Sequence, residues 1–411
     1  MKILHTADWH LGKRLSRVDR ADDLRRAVER VLAYCEEEDA DVLVIAGDLF
    51  DNVCRADDVC RAIDHLKEAV RPFLRRGGTI LAITGNHDGE TFCTTLQHTL
   101  ALADPADLRP GDRLASGRFH LFTRPAVHRL ADRSGREVQF VLMPYPLASR
   151  YLDDAATDYP GGAEGKYRRL REAFVETLGR MRTDASFEAG LPSVLVAHLF
   201  LRGAKLSGGY EVTAEDEKSH IVCPPEDLGA GWAYVALGDI HRPQALGGQA
   251  HVRYSGSIER LGLDEREDEK GVVLVEIGPE GRRGDPTWLP LEATTFLDVV
   301  IRDPSEELDG LGSIHPDALR ALVRCQVTYT AGRDDRDEIG RRVAEAFPRC
   351  YRLEMVEASR AALEGGPSPG EGPRRGFRET VIGYLRDRLG EQQNAEAVLA
   401  AAEELIGEVR P

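Results

Sequence analysis

The sequence predicts an α/β fold with its working residues gathered at the carboxyl ends of the strands. Three observations carry that prediction. Short apolar runs such as Val42–Ala46 and Thr79–Thr84 have the continuous hydrophobicity of strands buried on both faces of a sheet. Stretches with helical periodicity alternate with the first of these runs, in the strand–helix–strand order of α/β proteins. Run after run ends in residues able to hold a metal, which is where open α/β sheets place their ligands.

The opening MKILHTADWH sets the pattern. Lys2 to Ala7 suits a strand, and Asp8 and His10, two apart on an extended segment, aim at one point past its end. A helix is expected over Val18 to Glu38, with Leu24, Val28, Val31 and Leu32 on one stripe. The run Val42 to Ala46 stops at Gly47 and Asp48, with Asp51 just beyond. A second helical stretch, Ala56 to Leu74, precedes the strand Thr79 to Thr84 and the turn Gly85, Asn86, His87, Asp88. Phe119 to Phe122 and Val138 to Met143 read as further strands, and Gly165 to Arg182 as a charged helix. Val194 to Ala197 is a buried strand closed by His198. Ala233 to Leu237 repeats the pattern and runs into Gly238, Asp239, Ile240 and His241. Tyr254 to Ser257 then forms a turn before Ile258, Glu259 and Arg260.

Beyond Thr294 the character changes. Strands at Phe296–Ile301, Val323–Tyr329 and Tyr351–Val356, with a helix at Arg336–Phe347, make a small α+β unit. Glu364 to Arg375 reads EGGPSPGEGPRR, whose prolines and glycines cannot hold a helix. After it, Phe377, Val381, Leu385 and Leu389, then Ala395, Val398, Leu399, Ala402, Leu405 and Ile406, mark short amphipathic helices. These either dock onto a partner or fold back onto the same protein. The expected organisation is a main domain at 1–290, a small α+β domain at 291–363, a linker at 364–375 and a helical segment at 376–411.

Composition narrows the function classes. The 411 residues, 42% hydrophobic and 30% charged, suit a soluble protein with one large domain and one or two small ones. No apolar stretch approaches the roughly 18 residues of a membrane span. Asp8 and His10 interrupt any signal-peptide pattern, so a cytoplasmic location is expected. Seven cysteines scattered without CxxC pairs speak for idle thiols in a reducing compartment, not for a disulfide framework or a zinc ribbon. The net charge of −16 does not suit a protein that grips DNA unaided. Either the substrate is not DNA, or a partner supplies much of the electrostatic hold. Lys13, Arg14 and Arg202 lie near the motifs as candidate phosphate contacts.

Asp8, His10, Asp48, Asn86, His198, Asp239 and His241 form the expected ligand set. Seven oxygen and nitrogen donors exceed what one four-coordinate zinc takes, and they suit two metals bridged by Asp48. Two ions roughly 4 Å apart can clamp the attacking and leaving oxygens of a phosphoryl transfer. With no thiolate among the donors, manganese or iron fits best. His87, beside Asn86, is placed to protonate the leaving oxygen or to stabilise phosphoryl charge, with Asp88 as its orienting partner.

DWH, GDLFD and GNHD, followed by AHLF and GDIH, resemble the motifs of the calcineurin-like metallophosphoesterases. HTADWHLG, AHLFLRGAKLSG, GDIHRPQ and YSGSIERL are closer still to the SbcD family of nuclease subunits, over Asp8 to Ile258. The resemblance implies a β-sandwich flanked by helices, with a small α+β capping domain that helps hold DNA and C-terminal helices that bind a partner. It implies a two-manganese nuclease, with Fe2+ or Mg2+ as alternatives, acting as a double-strand exonuclease and a single-strand or hairpin endonuclease. It further implies DNA-end processing in repair, recombination and replication at the nucleoid. The expected assembly is a homodimer within a heterotetramer with an SbcC-type coiled-coil ATPase, and no membrane. One position departs: the family carries GHxH where this chain has Gly238, Asp239, Ile240, His241. Either Asp239 serves as a ligand in place of the imidazole, the reading we favour, or it falls short and one ion binds weakly. Two other functions stay open: a two-metal phosphodiesterase or phosphatase for non-DNA substrates, and a DNA-end-tethering scaffold with a weakened site.

Overall fold

A computed structural model describes residues 1–52, 55–102, 118–152, 159–315 and 317–358. The expected linker at 364–375 and the helices at 376–411 lie outside the described residues. The first half contributes β1 (Lys2–Thr6), α1 (Ala21–Glu37), β2 (Val42–Ala46), α2 (Ala56–Arg75), β3 (Thr79–Ile83), α3 (Glu90–Leu102), β4 (Phe119–Phe122), β5 (Ala126–Ala131), β6 (Glu137–Met143) and α4 (Gly162–Thr183). The second half adds β7 (Ser193–His198), β8 (Tyr234–Gly238), β9 (Gln244–Leu246), β10 (Gln249–Tyr254), β11 (Lys270–Gly278) and β12 (Gly281–Leu291). A separate sheet then uses β13 (Phe296–Ile301), β14 (Leu322–Tyr329) and β15 (Cys350–Glu357), with α5 (Arg336–Ala346) before its last strand.

Two six-stranded sheets form the body, in the orders β12-β11-β1-β2-β3-β4 and β9-β10-β8-β7-β6-β5. In the first, β1 to β4 run parallel, and the β11–β12 hairpin adds antiparallel strands beside β1. In the second, β6, β7, β8 and β10 run parallel between antiparallel edges. The sheets stack face to face: Ile3, Val42, Val44, Leu81 and Ile83 meet Phe140, Leu142, Val194, Val196 and Ala236. The alternate residues of the first sheet, Leu4, Leu43, Ile45 and Ile80, pack under Val28 and Val31 of α1 and Leu66 and Val70 of α2. Phe174 and Leu178 of α4 cover Val141, Leu195 and Val235 on the second sheet's outer face. The result is a helix–sheet–sheet–helix sandwich. Burial of both faces explains why the central strands carry unbroken apolar runs instead of alternating ones.

The helix expected from Val18 begins at Ala21. Val18 and Asp19 pair with Leu15 and Arg14 in a small ribbon, and Asp19 Oδ1 takes the backbone N–H of Ala21 at 2.8 Å. Helix α3 is an addition to the expected elements. Its apolar contacts, Phe92, Cys93, Leu96 and Leu100, are interleaved with threonines, and Thr95 and Thr99 donate their hydroxyls to carbonyls one turn back. Threonine's weak helix propensity masks the stripe.

The chain forms two compact units, Met1–Val327 with Arg336–Met355, and Thr328–Asp335 with Val356–Pro411. In the described part of the second, Thr330 N donates to Asp334 Oδ2 at 2.6 Å and Ala358 N to Tyr329 O at 2.8 Å. In the first, β13 pairs in parallel with β14, from Phe296 opposite Leu322 to Ile301 opposite Val327. Val323, Cys325 and Val327 of β14 are buried, as are Ile339 and Val343 of α5 and Phe347 just after it.

Candidate metal centre

Because β1, β2, β3, β7 and β8 all end at one edge of the sandwich, the loops that follow them meet there. The loop after β1 lies along the loop after β2: Asp8 N donates to Gly47 O at 3.0 Å, His10 N to Asp48 O at 2.9 Å and Leu11 N to Leu49 O at 3.0 Å. This ladder works only if the backbone turns sharply at each polar residue. Asp8, His10, Asp48 and Asp239 all take positive φ, at 53°, 45°, 52° and 91°. Such conformations cost L-residues energy and gather at functional sites, with Asn, Asp and His the side chains that tolerate them best.

The structure brings all seven expected donors into one connected cluster. Ligand atoms of Asp8, His10 and His241 lie within 4.8 Å of one another, as do those of His10, Asp48 and His87, and those of Asp8, Asp48 and His198. Asn86 Oδ1 is 3.0 Å from His198 Nε2, and Asp239 Oδ1 is 3.7 Å from the same nitrogen. Asp239 N donates to the Asp8 carboxylate at 3.1 Å, which draws the β8 loop onto the β1 loop. Asp48 is the common member. Its Oδ2 lies 3.4 Å from His10 Nε2 and 3.6 Å from His198 Nε2, while its Oδ1 accepts from His87 N at 2.8 Å.

The glycines make room for side chains. A Cβ on Gly47 would sit 2.1 Å from His198 Nδ1, one on Gly238 would sit 2.0 Å from Ala46 O and 2.7 Å from His198 Nδ1, and one on Gly85 would sit 2.1 Å from Asp48 Oδ1. The His198 ring thus lies on backbone, and its Nδ1 donates to Ala46 O at 2.7 Å.

Charge and hydrogen bonding both fit a bound cation. With Nδ1 of His198 committed to a carbonyl, its Nε2 turns toward oxygens of Asn86, Asp48 and Asp239, an arrangement that a positive charge must relieve. Burial alone would depress His198, yet Asp48 and Asp239 raise it to about 10. Burial pushes Asp8 up and carries Asp239 to about 7, while His198 and His10 overcome burial at Asp48 and hold it far below the usual range. Among the described residues, neither ring nitrogen of the buried His10 finds a hydrogen-bond partner. Orphaned imidazole nitrogens among crowded carboxylates are the donor set of a hard or borderline divalent ion.

One expectation is corrected. Asp88 does not orient His87. Its buried carboxylate accepts from the backbone N–H groups of Leu49, Phe50 and Gly85 at 3.2, 2.8 and 2.8 Å, tying the β2 loop to the β3 turn. Asp51 occupies the place instead: its Oδ1 is 3.3 Å from His87 Nδ1 and 3.7 Å from His10 Nδ1. Asp51 raises His87 and is itself held far below the usual range, because His10 and His87 outweigh its burial. In the sequence Asp51 stands out only as the second aspartate of GDLFD, with no local sign that it faces His87. His241 has a partner that spacing does not reveal, Glu265, whose Oε1 lies 2.8 Å from His241 Nδ1. The candidate phosphate contacts are paired within the chain: Lys13 lies 3.7 Å from Asp51, Arg14 lies 3.1 Å from Asp19, and Arg202 is bound to Glu217.

Residues 1–220 match the family model for calcineurin-like phosphoesterases. The chain belongs to that family, a class of enzymes that cleave phosphate esters at a centre for two metals. Within it, the chain is 30% identical over 281 residues to the SbcD component of the SbcCD nuclease of Rhodobacter capsulatus, covering 67% of this chain and 66% of that one. Its likeness to the protein of the same name from Bacillus subtilis is 29% over 299 residues, covering 68% and 67%, and to that from Staphylococcus epidermidis 26% over 313 residues, covering 74% and 73%. The chain therefore spans about two thirds of the length of the first of these relatives. Among the described residues, no helix is long and apolar enough to cross a membrane.

Proposed function

We propose that this chain is a manganese-dependent DNA nuclease that trims double-stranded ends and cuts single strands and hairpins, working as a dimer with an SbcC-type coiled-coil ATPase. The observation that carries the reading is Asp48 standing between two donor sets, Asp8, His10 and His241 on one side and Asn86, His198 and Asp239 on the other. Two divalent ions held there supply Lewis acidity at phosphoryl oxygens and acidify water at neutral pH. Asp48 keeps the two sets in register, and the left-handed turns at Asp8, His10 and Asp239 keep the donors aimed inward. His87, one residue past Asn86 and backed by Asp51, delivers a proton to the departing oxygen. The named relatives, each one subunit of a nuclease, support a nucleic-acid substrate and a partner subunit as the source of the basic grip that a chain of net charge −16 lacks. Asp239, drawn into the cluster, supports a working centre over a tethering scaffold.

The test is cleavage of single- and double-stranded DNA by the purified chain in manganese, magnesium and chelator, beside Asp48→Ala. Cleavage in manganese that chelator and the substitution both abolish is the expected result. Strong turnover of small phosphate esters with no DNA cleavage would overturn the substrate. Silence even with the ATPase added would make the chain a tether.

A further inference from the structure

Three pieces of chain that the proposed chemistry leaves unused converge on His241. The Nδ1 of His241 donates to Glu265 Oε1 at 2.8 Å, since a carboxylate only accepts. The other oxygen of Glu265 accepts from Lys270 Nζ at 2.6 Å, while Ser257 Oγ, 3.2 Å from it, gives its one proton to Glu259 O at 2.8 Å. Lys270 Nζ donates further to His241 O and to Ser257 Oγ, both at 2.9 Å. An ammonium has three protons, and here each has its acceptor. Glu265 and Lys270 are 3% and 1% exposed, so the pair stands out of water, where such charges are kept only if fully partnered. Ser257 belongs to the YSGS turn. Its neighbour Gly256 takes φ 77° and leaves no room for a Cβ, which would meet His241 O at 2.6 Å.

We propose that Glu265 and Lys270 are positioning residues for the ion held by Asp8, His10 and His241, a proposal that rests on the two-metal reading above. Glu265 fixes the proton of His241 on Nδ1, so that Nε2 offers its lone pair to the centre. Lys270 occupies the second carboxylate oxygen, which keeps Glu265 from turning inward as a competing ligand. The same ammonium pins the His241 carbonyl, so ring and backbone cannot shift apart. Carboxylates behind ligating histidines tune metal affinity about 10–100-fold in general. The bracket acts on one ion only, because His198 on the other side leans on Ala46 O.

The experiment is a calorimetric manganese titration of the full chain and of Glu265→Ala, Glu265→Gln and Lys270→Met, with thermal melting to establish folding. The unsubstituted chain is expected to bind two ions. Glu265→Ala weakens one of them by about 10–100-fold and spares the other. Glu265→Gln, which keeps the shape and an oxygen for Nδ1, recovers part of that loss, and Lys270→Met falls with Glu265→Ala. Fewer than two ions on the unsubstituted chain would sink the two-metal reading itself. Two ions there with unchanged affinities in Glu265→Ala and Glu265→Gln would overturn this inference alone, and equal weakening of both ions would overturn its one-sidedness. Should Lys270→Met fail to fold because Glu265 is left buried and unpaired, the near-isosteric Glu265→Gln still decides.

Discussion

His198 and His241 belong to different donor sets of one cluster, and they are held by different means. His198 ends a central strand, presses on glycines at 47 and 238, and gives its Nδ1 proton to a main-chain carbonyl. His241 stands three residues beyond its strand and gives its Nδ1 proton to Glu265, which Lys270 holds in turn. Main-chain bracing is rigid and tolerates little change, because altering it moves a strand. Side-chain bracing can be tuned by single substitutions without touching the sheet. One centre thus joins a fixed half to an adjustable half.

The largest effect that sharpens this contrast is expected at His87, which stands on the adjustable side, its ring 4.7 Å from that of His10. His87→Ala should lower cleavage by about 10²–10⁴-fold while both manganese ions stay bound. Loss of an ion along with the rate, seen in the same titration, would make His87 a ligand and not a proton donor. Next in size is Gly238→Ala. The added methyl meets the Ala46 carbonyl, which cannot step aside, so stability should fall by about 1–3 kcal/mol and the ion beside His198 should weaken alone. Denaturant melts and metal titration read the two parts separately; an unaffected His198-side ion would mean that the backbone is not its brace.

The most gradual effect, spread over several pH units, concerns His5, which anchors β1 to β8 beneath the fixed side. Its Nε2 donates to Leu237 O at 3.2 Å and its Nδ1 accepts from Tyr234 OH at 3.0 Å, so the ring is buried neutral. Burial lowers it from 6.5 to about 3. The unfolded chain therefore binds a proton below pH 6.5 that the folded chain refuses until about pH 3, and stability drains away as pH falls through that window. Relative to His5→Phe, the unsubstituted protein should lose about 1.4 kcal/mol per pH unit between pH 6 and pH 4. Parallel slopes for the two proteins would show that His5 is not buried neutral.

What the sequence discloses is local. An apolar run followed by Asp, Asn or His is a short-range pattern, and all seven residues chosen on it meet in the structure. The ends of β2 and of β13 fall where periodicity puts them, at Ala46 and Ile301. What stays hidden depends on pairings across the chain. The β11–β12 hairpin is half visible: Val272–Val275 of β11 is a plain apolar run that the expected elements leave out, whereas β12 mixes Arg282, Arg283, Gly284 and Asp285 with only a few apolar residues and takes its place by pairing with β11. The choice between Asp51 and Asp88 as the partner of His87 cannot be made by spacing, because sequence proximity favours Asp88 while the fold turns that carboxylate onto backbone N–H groups. The glycines are legible as close approaches, but what approaches is the His198 ring and the Asp48 carboxylate.

The left-handed backbone at position 239, φ 91°, bears on how such a centre can change over generations. Most side chains are disfavoured there, whereas aspartate and histidine are two of the three that accept it readily. A lineage can exchange imidazole for carboxylate at this position without reshaping the loop, shifting the charge at the metals by one unit. Metal appetite is then free to drift on a scaffold that does not have to be rebuilt.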